Sequence, residues 1–509
     1  MPAKVYSAAL NGLDAYCVDV EVDASPGLHF FNIVGLGDKS VSESRERIDS
    51  ALKNCGLANP KSKNNRIIVN LAPADIKKEG AHLDLPIAIG YLVATKQIQP
   101  AVVNDSLFLG ELALDGMVRP ISGALAAALL AKTLGLKQVI VPKANAKEAA
   151  FVSGVRTIGI DNLKQLLAFL KGEVEIEPEA YISDNAIASS TDGIDFSMIK
   201  GQETAKRAMV IAAAGGHNVL MYGPPGSGKT ILAQATRGIL PGMNEAEMIE
   251  VTKIYSAAGF TKETSIVSQR PFRNPHHTTS AAAVIGGGNV PRPGEISLAH
   301  RGILMLDELP EFPRHVLEAL RQPLEEGQVT VARAAGAGRF PARFMLVAAM
   351  NPCPCGNYGS ETLTCTCLPG NVVRYRKKIS GPLLDRIDMQ IWVPRESYTN
   401  LAGPSNSENT ENLKNQVVAA RQRQAQRLAH YQLLTNAEIG VREIHSICKL
   451  STEAELVLRQ YVEKNNISGR GYHRALKVAR TIADLAGSEG IELNHISEAI
   501  SFRLPELSV

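Results

Sequence analysis

Three observations point to an α/β nucleotide-binding core set between an N-terminal α/β or α+β domain and a helical C-terminal part. The run Gly223, Pro224, Pro225, Gly226, Ser227, Gly228, Lys229, Thr230 matches G-x-x-x-x-G-K-[ST]. An apolar stretch at 217–222 precedes it and reads as a short buried strand, while residues 231–237 open a helix behind it. Two further apolar runs, 302–306 and 344–350, end on polar residues, as buried parallel strands do when they present ligands at their C-terminal ends. Beyond residue 412, apolar residues recur at three- and four-residue spacing over 413–431, 452–464, 471–486 and 495–502.

The N-terminal 170 residues alternate β-rich runs (16–22, 66–71, 138–141) with helical stretches (39–54, 85–95, 123–134), enough for an independent domain. An acidic and polar stretch, 171–195, reads as a linker; the nucleotide core spans 196–398, a polar break spans 399–412, and the helical part spans 413–509. A chain of 509 residues exceeds one core, and its 45% hydrophobic and 21% charged composition is that of an ordinary globular protein. Net charge is only +3, so any nucleic-acid surface has to be local. The N-terminus lacks the apolar segment of a signal peptide, and no apolar run reaches bilayer-spanning length. The expectation is a cytoplasmic protein without a membrane partner.

The chemistry follows from the residue types. Glycines let backbone N–H groups wrap a phosphate at a helix N-terminus; Lys229 would neutralise the β- and γ-phosphates of ATP, and Thr230 would hold Mg2+. Asp307, closing the 302–306 run, would reach the Mg2+ through water, and Glu308 would act as general base on the attacking water. Asn351 at the end of the 344–350 run can position that water or touch the γ-phosphate, although Asn before Pro also simply ends strands. The segment 328–340 alternates like a β-hairpin around a glycine turn and carries Arg333 and Arg339. The basic groups at 374–378 and at Arg421, Arg423 and Arg427 read as solvated charge. His276 and His277, adjacent and therefore pointing apart, read as structural.

Seven cysteines include two C-x-C pairs, Cys353/Cys355 and Cys365/Cys367. Four thiolates so close together suit a tetrahedral Zn2+ site, although the spacing is tighter than the usual C-x2–4-C; disulfides or unconnected thiols are the alternatives.

Several stretches resemble the helix-2-insert AAA+ ATPases, which include the magnesium-chelatase ATPase subunit and the replicative MCM helicases. They are Asp195-Phe196 with Ile199-Lys-Gly-Gln202, the phosphate loop, the Asp307–Glu308 strand, Asn351 and Leu383-Leu-Asp-Arg386-Ile-Asp388. Gly215-Gly-His-Asn218, Arg273-Asn-Pro-His-His-Thr278, Asn351-Pro-Cys-Pro-Cys-Gly356 and Arg480-Thr-Ile-Ala-Asp-Leu485 are closer still to the ComM/YifB family of bacterial competence proteins. The resemblance implies an AAA+ P-loop ATPase core with a helical C-terminal lid, preceded by a Lon-protease-like α+β domain. It implies a ring, a hexamer, in which Arg386 is the arginine finger for the neighbour's ATP and Arg470 the sensor-2 arginine, with Arg474 the rival for that role. Arg333, Arg339 and, second, Arg292 would touch DNA phosphates. The family's work is branch migration of single-stranded and branched DNA during natural transformation, alongside recombination proteins. Two other classes stay open: a chelatase-type ATPase that remodels a metal-insertion partner, and a Lon-like ATP-dependent protease.

The N-terminal domain departs from the Lon pattern where the chemistry sits. His82 stands at the nucleophilic serine position and Leu125 at that of the activating lysine, so neither hydroxyl nor base is available. Protein purified from a protease-deficient host is expected to leave unfolded polypeptide intact in the presence of ATP; ATP-dependent cleavage, read on a gel, would refute this.

Overall fold

Strand alternation in the first 26 residues starts the N-terminal sheet. In the computed structural model, which describes residues 2–62, 64–78, 80–181, 193–260, 266–288, 291–333, 336–359, 363–398, 400 and 408–503, the chain divides into two compact units. In the first, β1 (Ala3–Asn11) and β2 (Asp14–Pro26) pair antiparallel through a two-residue turn containing Gly12 at φ +67°. With β3 (Phe30–Val34), β4 (Asn65–Ala72), β5 (Ser106–Phe108), β6 (Gln138–Pro142) and β7 (Arg156–Ile160) they form a mixed sheet in the order β3-β4-β2-β1-β5-β6-β7. Helices α1 (Lys39–Asn54), α2 (Asp84–Ala94) and α3 (Ala124–Thr133) lie where the apolar periodicity places them. Helix α2 is apolar on all sides and buried from Leu85 to Val93. Gly90 lets it approach the sheet, since a Cβ there would lie 2.6 Å from a Val22 methyl.

Charge enters this core in a few paired places. Asp84 is fully buried and accepts from Arg47 Nε at 2.6 Å, from the Leu112 N–H at 3.2 Å and from Ser44. Burial pulls the His82 imidazole down to about 4. Leu125 is buried with its N–H 3.2 Å from Glu148.

The units are not the uninterrupted stretches expected from the linkers. The first comprises Met1–Ala188 together with Asn244–Ser268; the second comprises Ser189–Met243 and Gln269–Val509. The helix Glu245–Ala258, expected inside the 196–398 core, joins the first unit. Its Ser256 hydroxyl donates to Glu148 at 2.8 Å and accepts from the Gly123 N–H at 2.9 Å, satisfying a buried carboxylate. The start of the 171–195 linker is also attached: the Glu179 N–H donates to the Thr157 carbonyl at 2.9 Å. Residues 182–192 of that linker and 401–407 of the second one lie outside the described residues.

The second unit holds a five-stranded, all-parallel sheet. Its strands are β8 (Val219–Tyr222), β9 (Phe272–Arg273), β10 (Ile303–Leu306), β13 (Met345–Met350) and β14 (Met389–Trp392), in the order β9-β10-β13-β8-β14. Between β10 and β13 stands a separate antiparallel hairpin, β11 (Gln328–Arg333) and β12 (Gly336–Pro341). Helices α4 (Glu203–Gly215) and α5 (Lys229–Ile239) flank β8 in sequence and pack together. The C-terminal helices are α6 (Thr410–Leu428), α7 (Thr452–Asn465), α8 (Gly469–Ala486) and α9 (Leu493–Ser501). Among the described residues, no helix is long and apolar enough to cross a membrane.

Side-chain hydrogen bonds tie the C-terminal helices to one another, to α4 and to the strand ends, and this corrects the reading of Arg421 and Arg427 as solvated charge, while Arg423 remains exposed. Arg421 donates to the Ala213 carbonyl at 2.9 Å and Arg423 to the Asp484 carbonyl at 2.7 Å; Arg427 pairs with the Asp484 carboxylate at 2.6 Å. Asp388, just before β14, pairs with Arg474 at 2.7 Å and lies 3.5 Å from His217, whose other ring nitrogen meets the Thr481 hydroxyl at 2.7 Å. Burial pushes the Asp388 carboxyl up, but Arg474 and His217 more than offset this and hold it below the usual range. Asp388→Ala leaves a buried guanidinium unpaired and is expected to cost on the order of 3 kcal/mol, seen as a lower urea midpoint for the second unit; an unchanged midpoint would contradict it.

Candidate active site

Strands β8, β10 and β13 run parallel, so their C-terminal ends bring the phosphate loop, the acidic pair and Asn351 to one edge of the sheet. The Gly223 N–H donates to the Met350 carbonyl at 3.2 Å, setting Asn351 beside the loop's first residue. Only glycine fits at 223, because a Cβ would lie 2.0 Å from the Val393 carbonyl oxygen. Gly228, at φ +88°, turns the chain into α5 and presents its N-terminal N–H groups.

Lys229 is buried, its amine folded onto the loop: Nζ donates to the carbonyls of Gly223 and Pro224, both at 2.9 Å, and lies 3.3 Å from the Ser227 hydroxyl. Burial pulls its pKa down to about 8, with Asp307 acting in the opposite sense. The Thr230 hydroxyl donates to Asp307 Oδ2 at 2.7 Å, so the two groups expected to hold Mg2+ already meet. The other Asp307 oxygen accepts the Glu308 N–H at 2.9 Å. Glu308 has a left-handed backbone, φ +51°, a conformation that costs a non-glycine residue about 1–3 kcal/mol. Its carboxylate lies 3.3 Å from His277 Nδ1, and the His277 ring packs edge-on to Phe312.

His277 therefore stands on the expected general base, which corrects its reading as merely structural. Adjacent histidines on a regular element would diverge, but here the chain between β9 and the next helix is irregular, and the two rings lie 4.1 Å apart. Gln202 is a second residue the sequence singled out only through resemblance. Its Nε2 donates to the carbonyls of Ser227 at 3.3 Å and Pro394 at 2.6 Å, and its buried Oε1 has no partner among the described residues. That buried acceptor beside the loop suits a hydrogen-bond donor on a nucleotide.

The two arginines expected to sense ATP share one partner, Glu325. Arg386 is nearly buried, donates to the Pro382 carbonyl at 2.6 Å and pairs with Glu325, while its Nε has no partner among the described residues. Arg470 reaches the other Glu325 oxygen at 3.3 Å. Among the described residues, neither is bonded to a phosphate-loop residue. Arg474, the rival for that role, is committed to Asp388.

Of the expected DNA contacts, Arg292 and Arg339 are exposed. Arg292 lies in a short ladder where Gly287 pairs with it, and Arg339 pairs with Thr330 between β11 and β12. The two hairpins touch: a Cβ on Gly338 would lie 3.0 Å from Pro291, and one on Gly286 would lie 3.0 Å from a Val331 methyl. Arg333 pairs with Gly336 in the ladder, and its side chain lies outside the described residues.

The sulfurs of Cys353, Cys355, Cys365 and Cys367 all lie within 4.8 Å of one another. The backbone N–H groups of Asn357 and Thr366 pull the Cys355 thiol down to about 5.

A parallel sheet carrying a phosphate loop, with Thr230 bonded to the strand-end Asp307 and a helical C-terminal part, defines a magnesium-chelatase-like AAA+ protein. The family described as magnesium chelatase, subunit ChlI, matches residues 195–401; its C-terminal part matches 407–503, and a further ChlI match covers 20–145. Competence protein ComM of Haemophilus influenzae is 42% identical, covering 98% of this chain and 97% of that protein. YifB of Escherichia coli is also 42% identical, covering 98% and 96%. The magnesium-chelatase 38 kDa subunit of Cereibacter sphaeroides is 30% identical over 31% of this chain and 52% of its own length. The chain belongs to the ComM/YifB family, and its AAA+ class implies ATP hydrolysis with Mg2+.

Bound phosphates restore positive charge to Lys229. Below pH 8 the amine is already protonated, whereas above pH 8 binding has to take up a proton. Nucleotide affinity is therefore expected to fall as pH rises past about 8 and to be flat below it. Calorimetry at high pH in buffers of different ionisation heat should register the uptake; no buffer dependence would contradict it.

Proposed function

We propose that the protein is an ATP-driven, ring-forming DNA motor that extends recombination intermediates by branch migration during natural transformation. The single observation that carries DNA as the track is the pair of abutting hairpins with exposed Arg292 and Arg339. They lie between the phosphate loop and Asn351 in the chain, where hydrolysis can move them. Contacts made only to phosphates suit a motor that ignores base sequence. Near-full-length similarity to a protein named for competence supports the same reading.

In this motor Lys229 and the loop from Gly223 to Thr230 hold ATP, Thr230 and Asp307 hold Mg2+, and Glu308 activates water with His277 beside it. Asn351 positions that water. Arg386 crosses to the neighbour's γ-phosphate, in a hexamer, with Arg470 as the sensor arginine. In the single chain Glu325 occupies both guanidiniums, so assembly exchanges a carboxylate for a phosphate. Cys353, Cys355, Cys365 and Cys367 bind Zn2+. The N-terminal unit is a Lon-like fold retained without its chemistry, and the protein works in the cytoplasm on single-stranded and branched DNA.

Single-stranded DNA is expected to stimulate ATP hydrolysis, whereas a chelatase partner or unfolded protein is not. Replacing Arg292 and Arg339 with Ala should weaken DNA binding and reduce the salt slope by about one for each phosphate no longer neutralised. Absence of DNA binding at low salt would overturn the reading. Arg386→Ala should slow turnover by about 10^3-fold or more, and mixing it with Lys229→Ala protein should restore part of the activity. No restoration in mixed assemblies would place Arg386 outside a shared site.

A further inference from the structure

Three of the four cysteine sulfurs are spaced like one face of a zinc tetrathiolate, the Cys367 sulfur lies within 4.8 Å of each of them, and the cluster lies against the phosphate loop. Sulfur–sulfur distances are 3.4 Å for Cys353 to Cys355, 3.7 Å for Cys353 to Cys365 and 3.6 Å for Cys355 to Cys365. A Zn2+ ion with four Zn–S bonds of about 2.3 Å gives edges of about 3.8 Å, whereas a disulfide requires sulfurs at about 2.05 Å. Backbone N–H groups surround the sulfurs: Tyr358 donates to Cys353 at 3.3 Å, Asn357 and Thr366 donate to Cys355, and Cys367 donates to Cys365. Donors of this kind orient and stabilise thiolate ligands.

What the cluster touches gives it a role. Cys353 follows Asn351 by two residues. The buried Tyr375 hydroxyl bonds the Asn351 backbone, and the neighbouring Arg376 donates to the Pro352 carbonyl at 3.4 Å while lying 4.9 Å over the Tyr358 ring. On its other side the knot meets the phosphate loop. Gly356, at φ +81°, comes so close that a Cβ would lie 2.6 Å from Pro225 Cδ. The segment 353–367 carries two glycines and no helix or strand among its described residues, so it has little of its own to hold that contact.

We infer that a zinc ion on Cys353, Cys355, Cys365 and Cys367 braces the phosphate loop through the Gly356–Pro225 contact and holds Asn351 in place, so that metal occupancy governs nucleotide binding. This rests on the tetrathiolate reading of the four cysteines. It adds that the ion serves the ATP site rather than a surface insert. Zn2+ is held as a structural cation without an open position, and no group is transferred.

The test measures zinc and iron content of the purified full-length protein and, in parallel, its affinity for a fluorescent ATP analogue with Mg2+ present. One equivalent of zinc is expected, with affinity falling about 10- to 100-fold when a thiol reagent ejects it, and returning when the thiols are regenerated and Zn2+ is added back. Less than half an equivalent of zinc, or iron in its place, overturns the metal site. Zinc at one equivalent with affinity unchanged on its removal leaves the site standing and overturns the brace. Gly356→Ala keeps all four thiols, so it should retain zinc and still bind nucleotide more weakly; wild-type affinity in that variant also overturns the brace. Cys355→Ser combined with Cys365→Ser should match the zinc-free protein.

Discussion

The nucleotide site depends on how tightly Gly223 is held between two strand ends. Its N–H bonds the carbonyl that closes β13, and its Cα faces the carbonyl of Val393 with no room for a side chain. That single close approach aligns the phosphate loop with β13 on one side and the segment after β14 on the other. Lys229, Thr230 and Asn351 then lie at the same end of the sheet. A parallel sheet makes this simple, since one register places all the strand ends together.

The residues of the site are bonded to one another. Lys229 commits its hydrogen bonds to its own loop, Thr230 commits its hydroxyl to Asp307, and Glu308 keeps a strained backbone beside His277. Arg386 and Arg470 rest on one carboxylate, Glu325, whose own charge is stabilised first by its bond to Arg386. The bonds from Lys229 to two backbone carbonyls are of the kind a phosphate can better, because charge-assisted bonds to phosphate outrank bonds to neutral carbonyls.

Elsewhere, buried polarity serves cohesion. Asp388 ties Arg474 and His217 to the strand end, and Asp484 collects Arg427, Arg480 and Asn436. Such groups fix which helix face meets the sheet, because any other packing would strand a charge in a dry interior. In the N-terminal unit Asp84 with Arg47, and Glu148 with Ser256, have the same effect. The second pair draws a helix out of the nucleotide core's sequence into the other unit.

Parts with a local signature were legible in the amino acids alone. The phosphate loop, the apolar strand ending at Asp307 and Glu308, the hairpin around Arg339 and the C-terminal helices each announce themselves through spacing or composition within a short window, and each appears where that pattern puts it. Short elements such as β5 and β9 are too brief to leave a period to detect. Which distant side chains share a space emerged from the packed fold and from nothing earlier. Packing set His277 on Glu308, joined Arg386 to Arg470 through Glu325, and moved Asn244–Ser268 to the N-terminal unit. It also turned Arg421 and Arg427 of α6 from surface charge into anchors and laid the cysteine knot on Pro225. Local patterns report how a segment satisfies its own backbone, while a charge or a close contact is satisfied by whatever the completed fold brings near it.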